Sequence, residues 1–309
     1  MRGHRRSVLV AAVTLVVAGV LAGCADAPRP GPSATSLPSG VDASLIQLRS
    51  DVAFRQAQVR VHNGNDEPVT ITRLRVDDPR FARAALRALT HTTTIAPGAT
   101  VDIRIELPPM ECGDELELPS PVPSMSPGSA TGPTATVHYA LGESSAVAVA
   151  PLAEPAPFLE AMHARECRAR ALQDAATVTL SSFTPSSPGA PADLALTIAP
   201  TGQAAARIVG IQTTNLLTFD AGAGATADMY DIGVDVGVSP SDAEATVVHL
   251  PLIPLRCDAH AVQEDKRGTI FTLMVDVPGD DGGEIELAAS EEMRGAILTW
   301  VGQWCGFGT

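Results

Sequence analysis

Residues 59–74 read VRVHNGNDEPVTITRL, and residues 196–211 read LTIAPTGQAAARIVGI. In both stretches, apolar and polar residues alternate on either side of a segment rich in turn-forming residues. Alternation with a period of two is typical of strands that bury one face, and the turn residues mark where the chain reverses. The two stretches therefore predict a β-hairpin in each half of the chain.

The features that follow these stretches also occur twice, in the same order. A turn precedes a strand in each half: Ala96-Pro97-Gly98 before Val101 to Leu107, and Pro240-Ser241-Asp242 before Ala245 to Leu250. Each strand leads to a proline and, three positions later, to a cysteine. The chain therefore contains an internal repeat.

Each half then closes with a hairpin and a short helical pattern. The hairpin turns are expected at 142–145 and 279–282, and the helical patterns run from Leu159 to Cys167 and from Ile297 to Cys305. Many short strands with Gly- and Pro-rich turns are typical of β-sandwiches. We expect a mainly β protein of two tandem immunoglobulin-like β-sandwich domains, each with a short C-terminal helix and one disulfide.

The composition of the chain suggests where these domains begin and end. We expect a signal peptide over 1–23, a Pro-, Ser- and Gly-rich tether over 24–42, a first domain over 43–173 and a second over 174–309. The segment Leu116 to Pro133 is rich in Pro and Ser and has a much shorter counterpart in the second half, so we interpret it as a surface insertion.

The cysteines follow the same repeat. Cys112 and Cys257 are 145 positions apart, and Cys167 and Cys305 are 138 apart. Four cysteines permit three pairings, and spacing alone does not choose among them, but the repeat favours a disulfide within each half, Cys112–Cys167 and Cys257–Cys305. Closing a loop of roughly 50 residues would stabilise each domain by about 4 kcal/mol in the chain-entropy model.

The N-terminus has the pattern of an export signal. Three arginines lie among the first six residues, a mostly apolar run covers Val8 to Leu21, and Leu21-Ala22-Gly23-Cys24 follows. This segment resembles the signal peptide and lipobox of bacterial lipoproteins. The resemblance implies cleavage before Cys24, a lipid on its thiol, and attachment to the extracytoplasmic face of the cell membrane. An ordinary signal peptide with Cys24 near its cleavage site is the alternative.

Charge and composition narrow the possible partners. Without the first 23 residues, 18 basic side chains remain against 35 acidic ones, a net charge of −17. Such a chain disfavours nucleic acid as a partner and would repel anionic lipid headgroups and anionic wall polymers, because phosphate recognition needs a basic patch. The single lysine among 21 basic residues and the abundance of alanine resemble proteins of actinobacteria.

Two Cys-His pairs have spacings that could bind a soft metal ion. His163 and Cys167 are four apart on a predicted helix, and Cys257 and His260 are three apart. The second half has Val301 where His163 should be, and Cys167 is better explained as a disulfide partner. The pair Cys257 and His260 lacks a second pair of ligands nearby. We therefore expect no metal site and no cofactor.

Acidic residues gather around the second hairpin turn, and oxygen ligands on a flexible loop suit calcium. These residues are Asp276, Asp280, Asp281 and Glu284. Their spacing does not match an EF-hand, so a solvated turn is the favoured interpretation, as it is for Asp77-Asp78 and Asn65-Asp66.

Trp300 and Trp304 are four apart on the last predicted helix. We interpret them as its core face, while an exposed Trp304 would instead indicate a patch that binds a partner.

Catalytic motifs are missing from the sequence. It contains no G-x-S-x-G, H-E-x-x-H, phosphate-binding loop or dinucleotide fingerprint. We therefore predict a non-enzymatic envelope lipoprotein that binds another envelope protein or has a structural role. A solute- or metal-binding lipoprotein is the alternative, and an envelope hydrolase is a further one.

Overall fold

The computed structural model describes residues 36–113, 132–238, 244–263 and 267–307. The predicted signal peptide and Cys24 lie outside these residues. So do most of the tether, nearly all of the insertion Leu116 to Pro133, and the turn Pro240-Ser241-Asp242.

The first half is a single antiparallel sheet that closes on itself. In its described residues the elements are β1 (Val41–Ile46), α1 (Arg49–Val52), β2 (Gln56–Asn63), β3 (Val69–Asp77), β4 (Ala85–Arg87), β5 (Thr93–Ile95), β6 (Thr100–Glu106), β7 (Thr134–Leu141), β8 (Ser144–Pro151) and α2 (Leu159–Ala175). The strands pair in the order β1-β2-β6-β4-β3-β7-β8, and β5 also pairs with β3. The N–H of Leu45 in β1 donates to the carbonyl oxygen of Ala153, just past β8, at 2.8 Å. The two ends of the sheet therefore meet around one core.

The second half consists of two antiparallel sheets packed face to face. In its described residues the elements are β9 (Ala176–Thr184), β10 (Ala192–Pro200), β11 (Ala206–Gln212), β12 (Leu217–Gly222), β13 (Ala225–Ala227), β14 (Met229–Val236), β15 (Thr246–Pro254), α3 (Ala259–Gln263), β16 (Ile270–Asp276), β17 (Gly283–Ala288) and α4 (Glu291–Trp304). One sheet has the order β13-β12-β15-β10-β9 and the other β14-β11-β16-β17. Buried side chains from both sheets, among them Leu194, Phe219 and Phe271, form the core between them.

The two halves share the order of six of their strands. The order β1-β2-β6 in the first half corresponds to β9-β10-β15 in the second, and β3-β7-β8 corresponds to β11-β16-β17. With β12 beside β15, these orders are those of the two sheets of an immunoglobulin domain. The predicted mainly β, immunoglobulin-like architecture is confirmed, with a helix after the strands of each half and one disulfide in each half.

The hairpins predicted at 59–74 and 196–211 are wrong. Strand β2 pairs with β1 and β6, whereas β3 pairs with β4, β5 and β7, and β10 and β11 lie in different sheets. Val59 and Val69 are both buried in the first core, so the turn between them carries the chain across that core. A hairpin and a crossing between layers have the same alternation, because each strand buries one face in both cases. The hairpins predicted at 142–145 and 279–282 are present as β7-β8 and β16-β17.

The folded part of the chain begins before the predicted end of the tether. Strand β1 starts at Val41, and Leu37 packs against the first core. The Gly64 N–H donates to the Gly40 oxygen at 2.7 Å, and the Asn65 side-chain amide donates to the Ser39 oxygen, also at 2.7 Å. These contacts attach residues 37–42 to the domain, so the tether is shorter than its predicted bounds.

Helix α2 belongs to both halves. Leu159 and Met162, in its first turns, are buried in the first core, and Leu172 and Ala175, near its end, are buried in the second. The helix was expected to end at Cys167, but it continues to Ala175, and β9 begins at the next residue. Leu172 and Ala175 lie on the face that the second core covers, which explains the longer helix. The domain boundary expected between 173 and 174 therefore falls inside α2.

Candidate functional site

Each half contains one disulfide between its terminal helix and the loop after a central strand. Cys112 pairs with Cys167, and Cys257 pairs with Cys305. The Cα atoms are 5.3 Å and 5.2 Å apart, within the usual range for a disulfide. This is the pairing that the internal repeat favours.

The residue before Cys167 binds the first half. Glu166 forms an ion pair with Arg55, whose Nη2 donates to Oε2 at 2.8 Å. The same guanidinium donates to the carbonyl oxygens of Leu107 and Pro108, at 3.1 Å and 2.5 Å. Two parallel N–H···O contacts to one carboxylate fix the orientation of both side chains. This network holds α2 against the strand ends of the first half.

The residue after Cys167 binds the second half. Arg168 is only 9% exposed, and its Nη2 donates to Asp280 Oδ1 at 3.0 Å. Its Nη1 donates to the Glu284 carbonyl oxygen at 3.1 Å. Its Nε lies 2.9 Å from Asp280 Oδ2, but Nε makes no directed hydrogen bond, so this contact is an attraction between charges. The acidic turn, considered for calcium from the sequence, thus binds an arginine of the same chain.

A glycine makes room for this arginine. Gly283 opens β17 with φ at +152°, and a Cβ atom built there would lie 2.8 Å from Cζ of Arg168. Carbon atoms in contact need about 3.5 to 4.0 Å. A side chain at Gly283 would therefore push the guanidinium away from the turn.

Glu166, Cys167 and Arg168 are consecutive, and we call them the α2 clamp. The first two bind the first half, and the third binds the second half. Sequence reasoning identified only the cysteine. Arg168 lies four residues before the buried Leu172, on the same face of the helix, and this position was the signal that could have indicated a buried arginine.

The two Cys-His pairs do not provide metal ligands. Nε2 of His163 lies 2.8 Å from the Glu111 carbonyl oxygen and 3.6 Å from the Cys167 sulfur. Cys167 and Cys257 are both in disulfides, and an oxidised sulfur lacks the thiolate that binds metals. Within the described ranges, no group of three or more His, Cys, Asp or Glu side chains could hold a metal ion.

The acidic pair at 77–78 forms ion pairs within the first half. Arg75 Nε donates to Asp77 at 2.8 Å, and Arg80 Nε donates to Asp78 at 2.8 Å. The Asp78 carboxylate is fully buried, and Glu154 lies 3.6 Å from Arg80 on its other side. Burial by itself would raise the pKa of Asp78, but the hydrogen bonds and charge of Arg80 hold that pKa below its ordinary value. Asp78 is therefore ionised at neutral pH.

The two tryptophans form the core face of α4. Trp300 is 1% exposed and packs edge-to-face on Phe183, with ring centroids 5.5 Å apart. Its indole N–H donates to the Ser186 carbonyl oxygen at 3.1 Å. Trp304 is half-buried and donates to the Ala190 oxygen at 3.1 Å. The core interpretation is confirmed, and Trp304 does not form an exposed patch.

An exposed apolar cluster lies elsewhere, in the loop between β1 and β2. Leu48, Val52 and Phe54 are 41%, 44% and 73% exposed, and we call them the apolar loop. The buried Asp51 carboxylate accepts hydrogen bonds from the Leu48 N–H at 3.1 Å and from Gln58 Nε2 at 3.0 Å. The loop thus has polar anchors under it and apolar side chains on its outside. Sequence reasoning did not identify it.

The residue after the apolar loop has an unusual backbone. Arg55 has φ at +52°, in the left-handed region that non-glycine residues rarely adopt. Such a conformation costs about 1 to 3 kcal/mol and persists only where the surroundings hold it. The contacts of the Arg55 side chain with Glu166, Leu107 and Pro108 stabilise this backbone conformation.

The second half has a shallow cleft at one end of its two sheets. Its volume is about 170 Å³, and its lining includes Ile198, Val234 and Glu244. Sites for small molecules usually occupy about 300 to 1,000 Å³. The cleft is therefore small for an organic solute.

One His-carboxylate pair has a geometry that catalysis could use. Nδ1 of His249 lies 2.9 Å from Asp193 Oδ2, on the outer face of the sheet that contains β10 and β15. The side chains of His249 and Asp193 are 67% and 43% exposed. Catalytic groups usually act in a pocket that excludes water, whereas this pair is exposed to solvent.

Within the residues that the structure describes, no helix is both long enough and apolar enough to cross a membrane.

Comparison with known proteins identifies no family. No protein-family model matches the sequence, and no curated protein matches it.

Several solved structures show a distant likeness. Red sea bream transglutaminase is 10% identical with a TM-score of 0.22, and the match covers 82% of this chain but only 31% of that enzyme. The YadV chaperone is 11% identical with a TM-score of 0.20, covering 81% and 98% of the two chains. The CupB2 chaperone of Pseudomonas aeruginosa is 10% identical with a TM-score of 0.19, covering 77% and 95%. At these TM-scores the likeness carries no argument about fold or function.

Proposed function

We propose that this protein is a membrane-anchored lipoprotein of the extracytoplasmic face, with a non-enzymatic role as a protein-interaction or structural module of the cell envelope. The N-terminal pattern ending at Cys24 supports the anchor and the address. The two disulfides support an oxidising compartment, because disulfides persist mainly outside the cytoplasm.

The observation that carries the structural role is the α2 clamp. Domains joined by a flexible linker move independently, whereas here one helix is buried in both cores and bound on both sides. The α2 clamp is evidence for a scaffolding role, in which the two immunoglobulin-like units keep a fixed arrangement. A fixed arrangement suits presentation of an extended surface to a partner.

The alternatives have less support. A solute-binding role would need a pocket between the halves, and the helix that joins the halves, α2, is buried in both cores. A hydrolase would need a His-carboxylate pair in a cleft, and the pair His249–Asp193 is exposed.

The anchor is tested by Cys24→Ala. We expect the wild-type chain to enter the detergent phase of Triton X-114 extracts of its native cells, and the variant to enter the aqueous phase. A variant that stays in the detergent phase as fully as the wild type would overturn the anchor.

The interaction role is tested by affinity purification of the tagged wild-type chain from cross-linked native membranes. We expect the same envelope protein to be recovered in repeated experiments, and recovery to fall when Arg168→Ala loosens the two halves. Failure to recover any partner with cross-linkers of several lengths would overturn the interaction role and leave the anchor untouched.

A further inference from the structure

The apolar loop exposes more apolar side chains in one place than is usual for a surface that contacts only water. Single exposed apolar side chains are common, but Leu48, Val52 and Phe54 are exposed within seven residues of one loop. Leu86 and Leu89 are 55% and 57% exposed; Leu86 lies in β4 and Leu89 just after it. The remaining large exposed apolar residues in the described ranges are more widely spaced along the sequence.

The loop is held in a fixed shape. Asp51 fixes the turn of α1 to Gln58 on the outer face of β2, and Arg55 fixes its end to Glu166 of α2. The exposure of Phe54 is therefore built into the fold and does not come from a loose segment.

The outer side of the apolar loop carries a positive charge. Arg49 is exposed, whereas the acid of the same helix, Asp51, is 1% exposed and faces inward. Because its acid faces inward, α1 places only a basic charge beside the apolar side chains, so this part of the first half escapes the repulsion between the acidic chain and anionic headgroups.

The charge of the whole chain is divided unevenly between the halves. Residues 36–173 contain 12 basic and 16 acidic side chains, a net charge of −4, and residues 174–309 contain 5 and 18, a net charge of −13. An anionic bilayer would repel the second half much more strongly than the first. This asymmetry favours an orientation in which the first half faces the membrane.

We propose that the apolar loop rests in the headgroup region of the same bilayer that holds the lipid on Cys24, with the first half against the membrane and the second half pointing away. This inference rests on the lipid anchor of the proposed function. The 13 steps along the backbone from Cys24 to Leu37 can span at most about 45 Å, and β1 adds about 20 Å between the tether and the loop. The loop can therefore reach the surface to which Cys24 is attached.

The test places a fluorescent reporter in the loop of the full-length lipidated chain. Phe54→Trp and, as a control, Val247→Trp are reconstituted in phosphatidylcholine–phosphatidylglycerol vesicles with plain or brominated acyl chains. Val247 is 50% exposed and lies in the second half, so it reports on an apolar site away from the membrane. The signal of the wild type, from Trp300 and Trp304, is subtracted.

For the loop variant, we expect brominated lipid to reduce the added fluorescence by about twofold, because interfacial side chains lie within 5 to 10 Å of the acyl boundary. The control should lose almost none. Equal quenching of the two reporters would overturn the inference while the anchor stands. A wild-type chain that does not float with the vesicles would overturn the anchor and the inference together. Unchanged circular dichroism of both variants controls for folding.

Discussion

Removing the side chain of Arg168 tests whether the α2 clamp joins the two halves energetically. In Arg168→Ala, the Asp280 carboxylate loses its cationic partner and the Glu284 carbonyl loses a donor. Breaking a fully buried ion pair by removing one partner costs about 3 to 5 kcal/mol. Asp280 is 26% exposed, so water relieves part of that penalty, and we expect a loss of about 2 to 3 kcal/mol.

A matched control is Arg207→Ala, which removes an ion pair with Asp235 on the surface of the same half. The side chains of Arg207 and Asp235 are 47% and 74% exposed, so this change should cost less than about 1 kcal/mol. Urea unfolding monitored by tryptophan fluorescence reports on the second half, because Trp300 and Trp304 are both there. Far-ultraviolet circular dichroism reports on both halves.

In the wild type, we expect fluorescence and circular dichroism to give one coincident unfolding transition. In Arg168→Ala, we expect the fluorescence transition to move to a lower urea concentration and to separate from the circular dichroism transition. If Arg168→Ala loses no more stability than Arg207→Ala, and its two probes still coincide, the clamp does not couple the halves.

Two further changes probe the same structure. Gly283→Ala should destabilise the second half by about 1 to 3 kcal/mol in urea unfolding, because the added Cβ would displace Arg168. The control is Gly189→Ala, which is also at positive φ but has open space around it, and it should cost less stability. Equal losses of stability in the two variants would contradict the clash with Arg168. Asp78 has a lowered pKa in the folded state, so its ionised form stabilises the fold above the unfolded pKa, and this contribution is lost as pH falls through the folded value. The stability difference between wild type and Asp78→Asn, measured by urea unfolding from pH 7 to pH 2, should therefore shrink on acidification, and a constant difference would show that the charge of Asp78 is not responsible.

Local patterns predicted much of the secondary structure. The alternation in Val69 to Leu74 and the turns at Gly142 and Gly279 lie where the structure has strands and turns, because side-chain alternation and turn chemistry act over a few neighbouring residues. The same patterns could not say which strands pair. Strand β2 alternates equally well whether its neighbour is β3 or β6, and the choice of β6 depends on how both layers cover one core.

The candidate sites were predicted less completely than the strands. Sequence spacing identified the cysteines and the acidic turn, but it assigned that turn to solvent, where the structure has Arg168. The apolar loop was missed because its exposure depends on Asp51 facing inward and on Arg55 reaching Glu166, which is 111 residues away.

The sequence by itself determined the mainly β architecture, the internal repeat and the pairing of the cysteines, since each depends on patterns that recur in both halves. Only the tertiary structure decided that α2 is shared by both cores, that Arg168 joins them, and that Phe54 stands exposed on a rigid loop. The physical reason is distance along the chain. Arg168 and Asp280 are 112 residues apart, and only the packing of α2 against both cores brings them to 3.0 Å.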